Sequence, residues 1–325
     1  MKIGIVSTST IIPWFFDSLK DYPDVSVSAI YSRTYEKAKP VAEKYNIPKI
    51  YTNETELYQD PDIDTVYLLS PNALHYPQAK AALSYGKNVI NEKPFCATLR
   101  QAEELFDLAE KNHVFLFDMS ISREYGHFQL IQKHLCDLGR VHLFKANLSK
   151  YSRRYDAFLS GETPNVFSVE MEGGALMDMN VYSIALSTLL FGSPEQVLYA
   201  ANVERGIDTS GELILKYNGM LAELCVSKCT TAPNTILLQG EKGSLCIQKT
   251  MSREGDKVIL TKQNTEQTEF TAASSIQNME RIITCLRDHD ESIYRKEKET
   301  VLTIVRILEE ARKCAGISLP SDKAE

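Results

Sequence analysis

The sequence predicts an α/β protein in two parts: a doubly wound parallel sheet, then an α+β domain with a mostly antiparallel open sheet. Three observations carry this. Short runs rich in Val, Ile and Leu alternate with helical segments through the first third, as in a parallel sheet covered on both faces. Past about residue 120 the alternation stops, and strand-like runs follow one another with turn signals such as Asn218-Gly219 between them. The 325 residues also exceed what one compact core holds. The chain divides into domains at 1–120 and 121–325.

Lys2 to Val6 is a first strand, running into a hydroxyl-rich turn. Pro13 suits the first turn of a helix reaching about Lys20. Val25 to Tyr31 is a second strand. Thr34 can cap a helix over Tyr35 to Tyr45, and Asn53 a short one after it. Thr65 to Leu69 is a strand, Leu74 to Tyr85 a helix stopped by Gly86, and Asn88 to Asn91 a strand. Thr98 and Gln101 form a capping box for a helix ending near Lys111, before a strand over Val114 to Met119.

The second part opens with a helix from His127 to Leu138 and a long strand from Val141 to Tyr151. A loop rich in Gly, Pro and Asn covers Ser152 to Glu172, and a helix runs from Ala175 to Leu190. Asn218-Gly219 joins Glu212–Tyr217 to Met220–Ser227 as a hairpin, and Glu241 to Ser244 reads as a second turn. Helices over Ser275 to Asp288 and Lys298 to Cys314 close the chain.

The net charge of -7 gives no electrostatic footprint for a nucleic acid. No stretch approaches the length of a membrane span. Ile3 to Phe16 is interrupted by four hydroxyl residues and Pro13, so strand, turn and helix explain it better than a signal peptide. The seven cysteines have no paired spacing and no histidine pair beside them, so they read as reduced residues of a cytoplasmic protein without a metal site. The expected partner is a small-molecule substrate.

The first strand, turn and helix stand where a dinucleotide-binding (Rossmann) fold keeps its pyrophosphate loop. The fingerprint there is G-x-G-x-x-G/A, whereas this chain has Ser7-Thr8-Ser9-Thr10-Ile11-Ile12. Glycines let the backbone turn sharply and phosphate approach closely. By itself the loop therefore reads as a generic α/β turn. The second strand ends Tyr31-Ser32-Arg33, with a hydroxyl and a guanidinium where a NAD site keeps an acid. That pair suits the 2′-phosphate of NADP, or Arg33 is an ordinary exposed arginine after a strand.

Two segments bear directly on chemistry. Asn91-Glu92-Lys93-Pro94 puts a lysine at the end of a buried strand. Gly173-Gly174 leads to Asp178 and Tyr182, four residues apart on one helix face. With Tyr31-Ser32-Arg33, Leu69-Ser70-Pro71-Asn72 and His75, these occur in an order and spacing that resembles the glucose–fructose oxidoreductase / inositol dehydrogenase / rhizopine-catabolism (Gfo/Idh/MocA) family across essentially the whole chain. The resemblance implies a nicotinamide cofactor in a cleft between a Rossmann domain and an α+β domain, and Ser32-Arg33 point to NADP in preference to NAD. It implies that the open sheet joins subunits into a homodimer or homotetramer. Lys93 would be the catalytic lysine, Glu92 would lie beside the nicotinamide ribose, and Ser70, Asn72 and His75 would line the cofactor. Asp178 would orient the substrate. Tyr182 stands where many members have histidine, and a tyrosine there looks like the glucose–fructose oxidoreductase and dihydrodiol dehydrogenase branches. The missing loop glycines are the larger departure.

These residues suit hydride transfer to or from a sugar, polyol or related hydroxy or keto compound. Lys93 and Tyr182 could handle the accompanying proton, and Asp178 is acceptor-only when ionised. Arg154 and Asn165, in the loop after the long strand, are candidates for substrate contact. Trp14 reads as a core or interface aromatic; His127, His134 and His142 read as surface or capping residues. Two other functions fit the same fold: a non-catalytic sensor of a nucleotide or metabolite, and a nicotinamide-dependent glycoside hydrolase.

Overall fold

A computed structural model describes residues 1–249, 255–263, 266–272 and 279–323. The chain forms two compact units, Met1–Met119 with Gln277–Leu302, and Ser120–Ile276 with Thr303–Glu325. A single division at 120 therefore does not account for Gln277–Leu302, where the chain returns to the first unit.

In the first unit, β1 (Lys2–Val6), β2 (Ser26–Tyr31), β3 (Lys49–Tyr51), β4 (Thr65–Leu68), β5 (Asn88–Asn91) and β6 (Leu116–Asp118) form one sheet in the order β3-β2-β1-β4-β5-β6. Every described pairing in it is parallel. The connecting helices are α1 (Ile12–Ser18), α2 (Tyr35–Tyr45), α3 (Glu54–Gln59), α4 (Asn72–Ser84) and α5 (Leu99–Lys111). Caps behave locally as their chemistry dictates. The Asn53 side chain accepts from the Thr55 N–H at 2.9 Å, and Thr98 with Gln101 completes the capping box of α5. Thr34 precedes α2 but makes no side-chain cap. The central strands are buried on both faces, with Ile3, Ile5, Val66, Leu68, Val89 and Ile90 fully enclosed.

The second unit begins with α6 (Met119–Leu138), which starts eight residues earlier than the sequence suggests and follows β6 without a break. After it come β7 (Val141–Ser149), α7 (Tyr155–Leu159), α8 (Val181–Phe191), β8 (Gln196–Glu204), β9 (Ile207–Tyr217), β10 (Met220–Ser227), β11 (Thr235–Gly240), β12 (Gly243–Gln248), β13 (Asp256–Lys262) and β14 (Gln267–Ala272). The strands form a sheet ordered β14-β13-β12-β11-β7-β10-β9-β8. Its ladders are antiparallel except for β7 on β10, which is parallel. Tyr217 pairs with Met220 across the Asn218-Gly219 hairpin. Side chains alternate on the central strands until their last residues. Phe144, Ala146, Leu148, Ala222, Leu224 and Val226 are buried, while Leu143, Lys145, Leu221 and Glu223 are at least partly exposed.

The segment expected to be a loop from Ser152 to Glu172 is instead packed. It contains α7 and a 3₁₀ turn over Asn165–Phe167, and it has its own core of Tyr155, Phe158, Phe167 and Ile207. Its aromatic residues outweigh its Gly and Pro content. The last helices are α9 (Glu280–Asp288) and α10 (Glu291–Cys314). The expected start of α9 near Ser275 lies outside the described residues. α10 begins seven residues before Lys298 because Asp290 caps it, accepting from the Ser292 and Ile293 N–H groups at 2.8 and 3.1 Å. Tyr294 of α10 then packs on Phe106, Phe115 and Phe117, which explains the chain's return to the first unit.

Candidate active site

Parallel strands place the residues that follow them along one edge of the sheet. Val6 pairs with Tyr31 and with Leu68, and Leu68 pairs with Asn91. Ser7, Ser32, Ser70 and Lys93 therefore emerge at the carboxyl ends of four neighbouring strands. The strand order reverses between β1 and β4. Open α/β sheets bind ligands in the crevice at such a reversal.

Ser7 has φ of +109°, in the region that favours glycine. Its N–H donates to the Tyr31 carbonyl at 3.0 Å, extending the ladder one residue beyond the strand. The glycine is lost from the sequence, but the backbone turn it would make is kept. Thr8, Ser9 and Ile11 are half-buried and Thr10 is exposed; the Ser9 carbonyl accepts from the Ile12 N–H at 3.3 Å. The turn thus fits a dinucleotide in its backbone path. Trp14 beside it is 44% exposed and is not a core residue.

At the end of β2, Ser32 is buried, Arg33 is exposed and Tyr31 is half-buried. Burial raises the Tyr31 pKa, as do the charge of Glu54 and a hydrogen bond to it. Glu54 also accepts from Gln78 Nε2 at 2.7 Å, and the Ser70 hydroxyl donates to Gln78 Oε1 at 2.5 Å. Four side chains, joined by three hydrogen bonds, thereby tie the end of β2 to the loop after β4. Asn72 is half-buried at the first turn of α4.

His75 is wholly buried, and its ring nitrogens lie 2.7 Å from the Pro94 carbonyl and 2.8 Å from the Ser70 carbonyl. It braces two loops, with both nitrogens engaged by backbone. Burial pulls its pKa below the ordinary imidazole value, against the two carbonyl contacts. Glu92 is buried too, accepting from the Tyr67 hydroxyl at 2.6 Å and the Lys93 N–H at 3.3 Å. The Lys93–Pro94 peptide is cis, and the Asn91 amide spans it by donating to the Phe95 carbonyl at 2.7 Å. Lys93 itself is half-buried.

The second unit carries the other set. Leu176–Asn180 forms a π-helical turn that continues as α8, so the expected single α-helix from Ala175 changes its winding at this point. The Val181 N–H reaches back to the Leu176 carbonyl. Asp178 lies in the π turn and Tyr182 at the start of α8; both are half-buried. Gly173 and Gly174 permit close approach within this unit. A Cβ on Gly173 would sit 2.7 Å from the Val166 backbone, and one on Gly174 would collide with Asp208. Asp208 is buried and accepts from the Leu176 N–H at 2.6 Å and the Tyr199 hydroxyl at 2.7 Å, anchoring the turn. Burial raises its pKa.

Each candidate in this set has a basic neighbour that local sequence did not reveal. The Lys228 ammonium donates to Asp178 Oδ2. Arg123 Nη1 donates to the Tyr182 oxygen at 2.5 Å. Arg154 and Asn165 are both exposed, the first as the residue before α7 and the second opening the 3₁₀ turn. His127, read as a surface or capping residue, is buried between Glu124 and Asp256 at 2.9 Å from each. Its partners are acids on a neighbouring turn and on β13, and their charge overrides the burial cost.

Known proteins agree with this architecture. Residues 1–118 match an oxidoreductase family with an NAD-binding Rossmann fold, and residues 133–246 match the GFO/IDH/MocA C-terminal domain. The scyllo-inositol 2-dehydrogenase (NADP(+)) IolU of Bacillus subtilis is 33% identical, covering 100% of both chains. The trans-1,2-dihydrobenzene-1,2-diol dehydrogenase of Mus musculus is 27% identical over 99% of each. The crystal structure of KijD10, a 3-ketoreductase from Actinomadura kijaniata in complex with NADP, superposes with a TM-score of 0.80 at 21% identity, covering 97% of each chain, which speaks to the fold alone. Among the described residues no helix is long and apolar enough to cross a membrane. With both family domains matched in order and full-length relatives on either side of 30% identity, the chain belongs to the Gfo/Idh/MocA family of NAD(P)-binding oxidoreductases.

Proposed function

We propose that the protein is an NADP-preferring dehydrogenase of secondary alcohols whose substrate is a cyclic vicinal diol or polyol. The observation that carries this is the persistence of the glycine-type turn at Ser7 beside Ser32, Ser70 and Lys93. It supports cofactor binding despite the altered loop. The substrate class is supported by two relatives. The compounds named for the Bacillus subtilis and Mus musculus enzymes are both six-membered carbon rings with neighbouring hydroxyl groups.

In this reading Ser7, Thr8, Ser9, Thr10 and Ile11 hold the pyrophosphate, Tyr31, Ser32 and Arg33 the ribose 2′-phosphate, and Ser70, Asn72 and Glu92 the nicotinamide half. His75 acts by bracing the Ser70 and Pro94 loops. When bound, oxidised NADP supplies the acceptor for the hydride. Lys93 is the base that ends with the proton leaving the reacting hydroxyl, and Tyr182 relays it, accepting one hydrogen as it gives up its own. Because the Tyr182 oxygen accepts from Arg123, its own hydrogen goes to an acceptor other than Arg123. Asp178 accepts from a substrate hydroxyl, with Arg154 and Asn165 as outer contacts. We also infer a cytoplasmic homo-oligomer, supported by seven free cysteines and by Leu143, Leu198 and Leu221 exposed on the outer sheet face.

Calorimetric titration with NADPH and NADH tests the reading. NADPH should bind the more tightly, and Arg33→Ala should narrow the difference. Lys93→Ala should keep cofactor binding and lose roughly 10²–10⁴-fold in turnover of scyllo-inositol or trans-1,2-dihydrobenzene-1,2-diol. No binding of either cofactor at millimolar concentration would overturn it. Tight NADPH binding without turnover of any diol would instead make the protein a sensor.

A further inference from the structure

Asp178 meets its cation within its own unit. Lys228 follows β10, and its side chain is only 3% exposed, whereas that of Asp178 is 22% exposed. The lysine is fixed from several sides. Its N–H donates to the Thr209 carbonyl at 2.9 Å, and its carbonyl accepts from the Ser152 N–H at 2.8 Å. Its ammonium lies 5.4 Å from the centre of the Phe167 ring. Asp208, which anchors the π turn, also feels its charge. A lysine this enclosed has lost hydration and rotamer freedom, so a partner is required. The partner in contact is the carboxylate that stays open to solvent.

We propose that Lys228 is a positioning residue that holds Asp178 by one oxygen and so presents its carboxylate to the second, non-reacting hydroxyl of a vicinal diol. This rests on the substrate reading above and deepens it. An ionised carboxylate accepts only, so its ligand must be a donor. A ring with a methylene in place of that hydroxyl gains nothing from the pair. Lys228 thereby selects diols over simple alcohols.

The test compares wild type, Lys228→Met and Lys228→Arg, with trans-1,2-cyclohexanediol and cyclohexanol as probes. It measures kcat and KM with oxidised NADP, NADPH binding, and diol binding to the NADPH complex by cofactor fluorescence. Lys228→Met should lose roughly ten- to a hundredfold in kcat/KM for the diol, carried by KM. Diol binding to the NADPH complex should weaken in parallel. NADPH binding should be unchanged, cyclohexanol oxidation should fall far less than diol oxidation, and Lys228→Arg should restore most of the loss. Equal losses for the two alcohols, or unaltered diol binding, would refute the role. If Lys228→Met fails to fold by circular dichroism, Lys228→Gln carries the same comparison. Failure of the wild type to bind NADPH would instead defeat the functional reading itself, which separates the two.

Discussion

Ser7 shows how a single residue can keep a backbone shape at a cost. A side chain at φ of +109° is strained, by about 1–3 kcal/mol for residues in such regions. Glycine relieves that strain but gives back roughly 0.5–1 kcal/mol of chain entropy. Ser7→Gly should therefore stabilise the protein by about 1 kcal/mol in urea denaturation. A lower midpoint for the variant would show that the serine hydroxyl supports the turn instead. Ser7, Ser70 and Lys93 stand out in sequence because each follows a strand, and Asp178 because it follows the Gly173-Gly174 pair. Lys228, Asp208 and Gln78 do not, because their partners lie 50, 32 and 24 residues away. Nothing in the surrounding spacing marks a lysine after an apolar strand as the neighbour of a distant aspartate.

Among the elements, α6 is tied to the region of β12 and β13 by buried charges. Lys249 donates to Glu124 at 2.8 Å, Glu124 meets His127, and His127 meets Asp256. Burial disfavours the imidazolium, but Glu124 and Asp256 outweigh it and raise the His127 pKa above 6.5, against the like charge of Lys249. Glu124 is penalised by burial but carried down to about 2 by Lys249 and His127. The signs follow from linkage. A raised histidine pKa contributes stability in full below 6.5 and loses it as pH rises through the folded value. The depressed carboxylate contributes above 4.5 and loses it as pH falls toward about 2. Stability should therefore decline as pH rises above about 6.5, and His127→Gln should flatten that decline in urea midpoints. An equal slope in the variant would exclude the cluster as its source. Element types were legible from periodicity and caps. The start of α6 was not, since β6 runs into it without a turn residue, and the π turn was not, because its change of winding has no signature in residue type.

For the whole chain, the order of motifs was enough to read the family and both sheets, because parallel and antiparallel sheets differ in their connections. The return of Gln277–Leu302 to the first unit was hidden, since it depends on Tyr294 finding an aromatic cluster formed by far earlier residues. Assembly belongs to this scale as well. Leu221 pairs with Leu143 across β10 and β7, and both are exposed on the outer face of the sheet. If that face joins copies of the chain, Leu221→Glu should dissociate the oligomer in light scattering while NADPH binding survives. An unchanged mass would place the interface elsewhere.

The parallel pairing of β7 with β10 also bears on synthesis. β7 ends at Ser149, but its neighbours β10 and β11 begin only at Met220 and Thr235. At about 5–20 residues per second, a nascent chain carries β7 for several seconds before either neighbour has been made. Both edges of a half-apolar strand lack their native partners throughout that interval. The ribosome-bound intermediate thus carries an unpaired strand open to aggregation, and slower translation would lengthen its exposure.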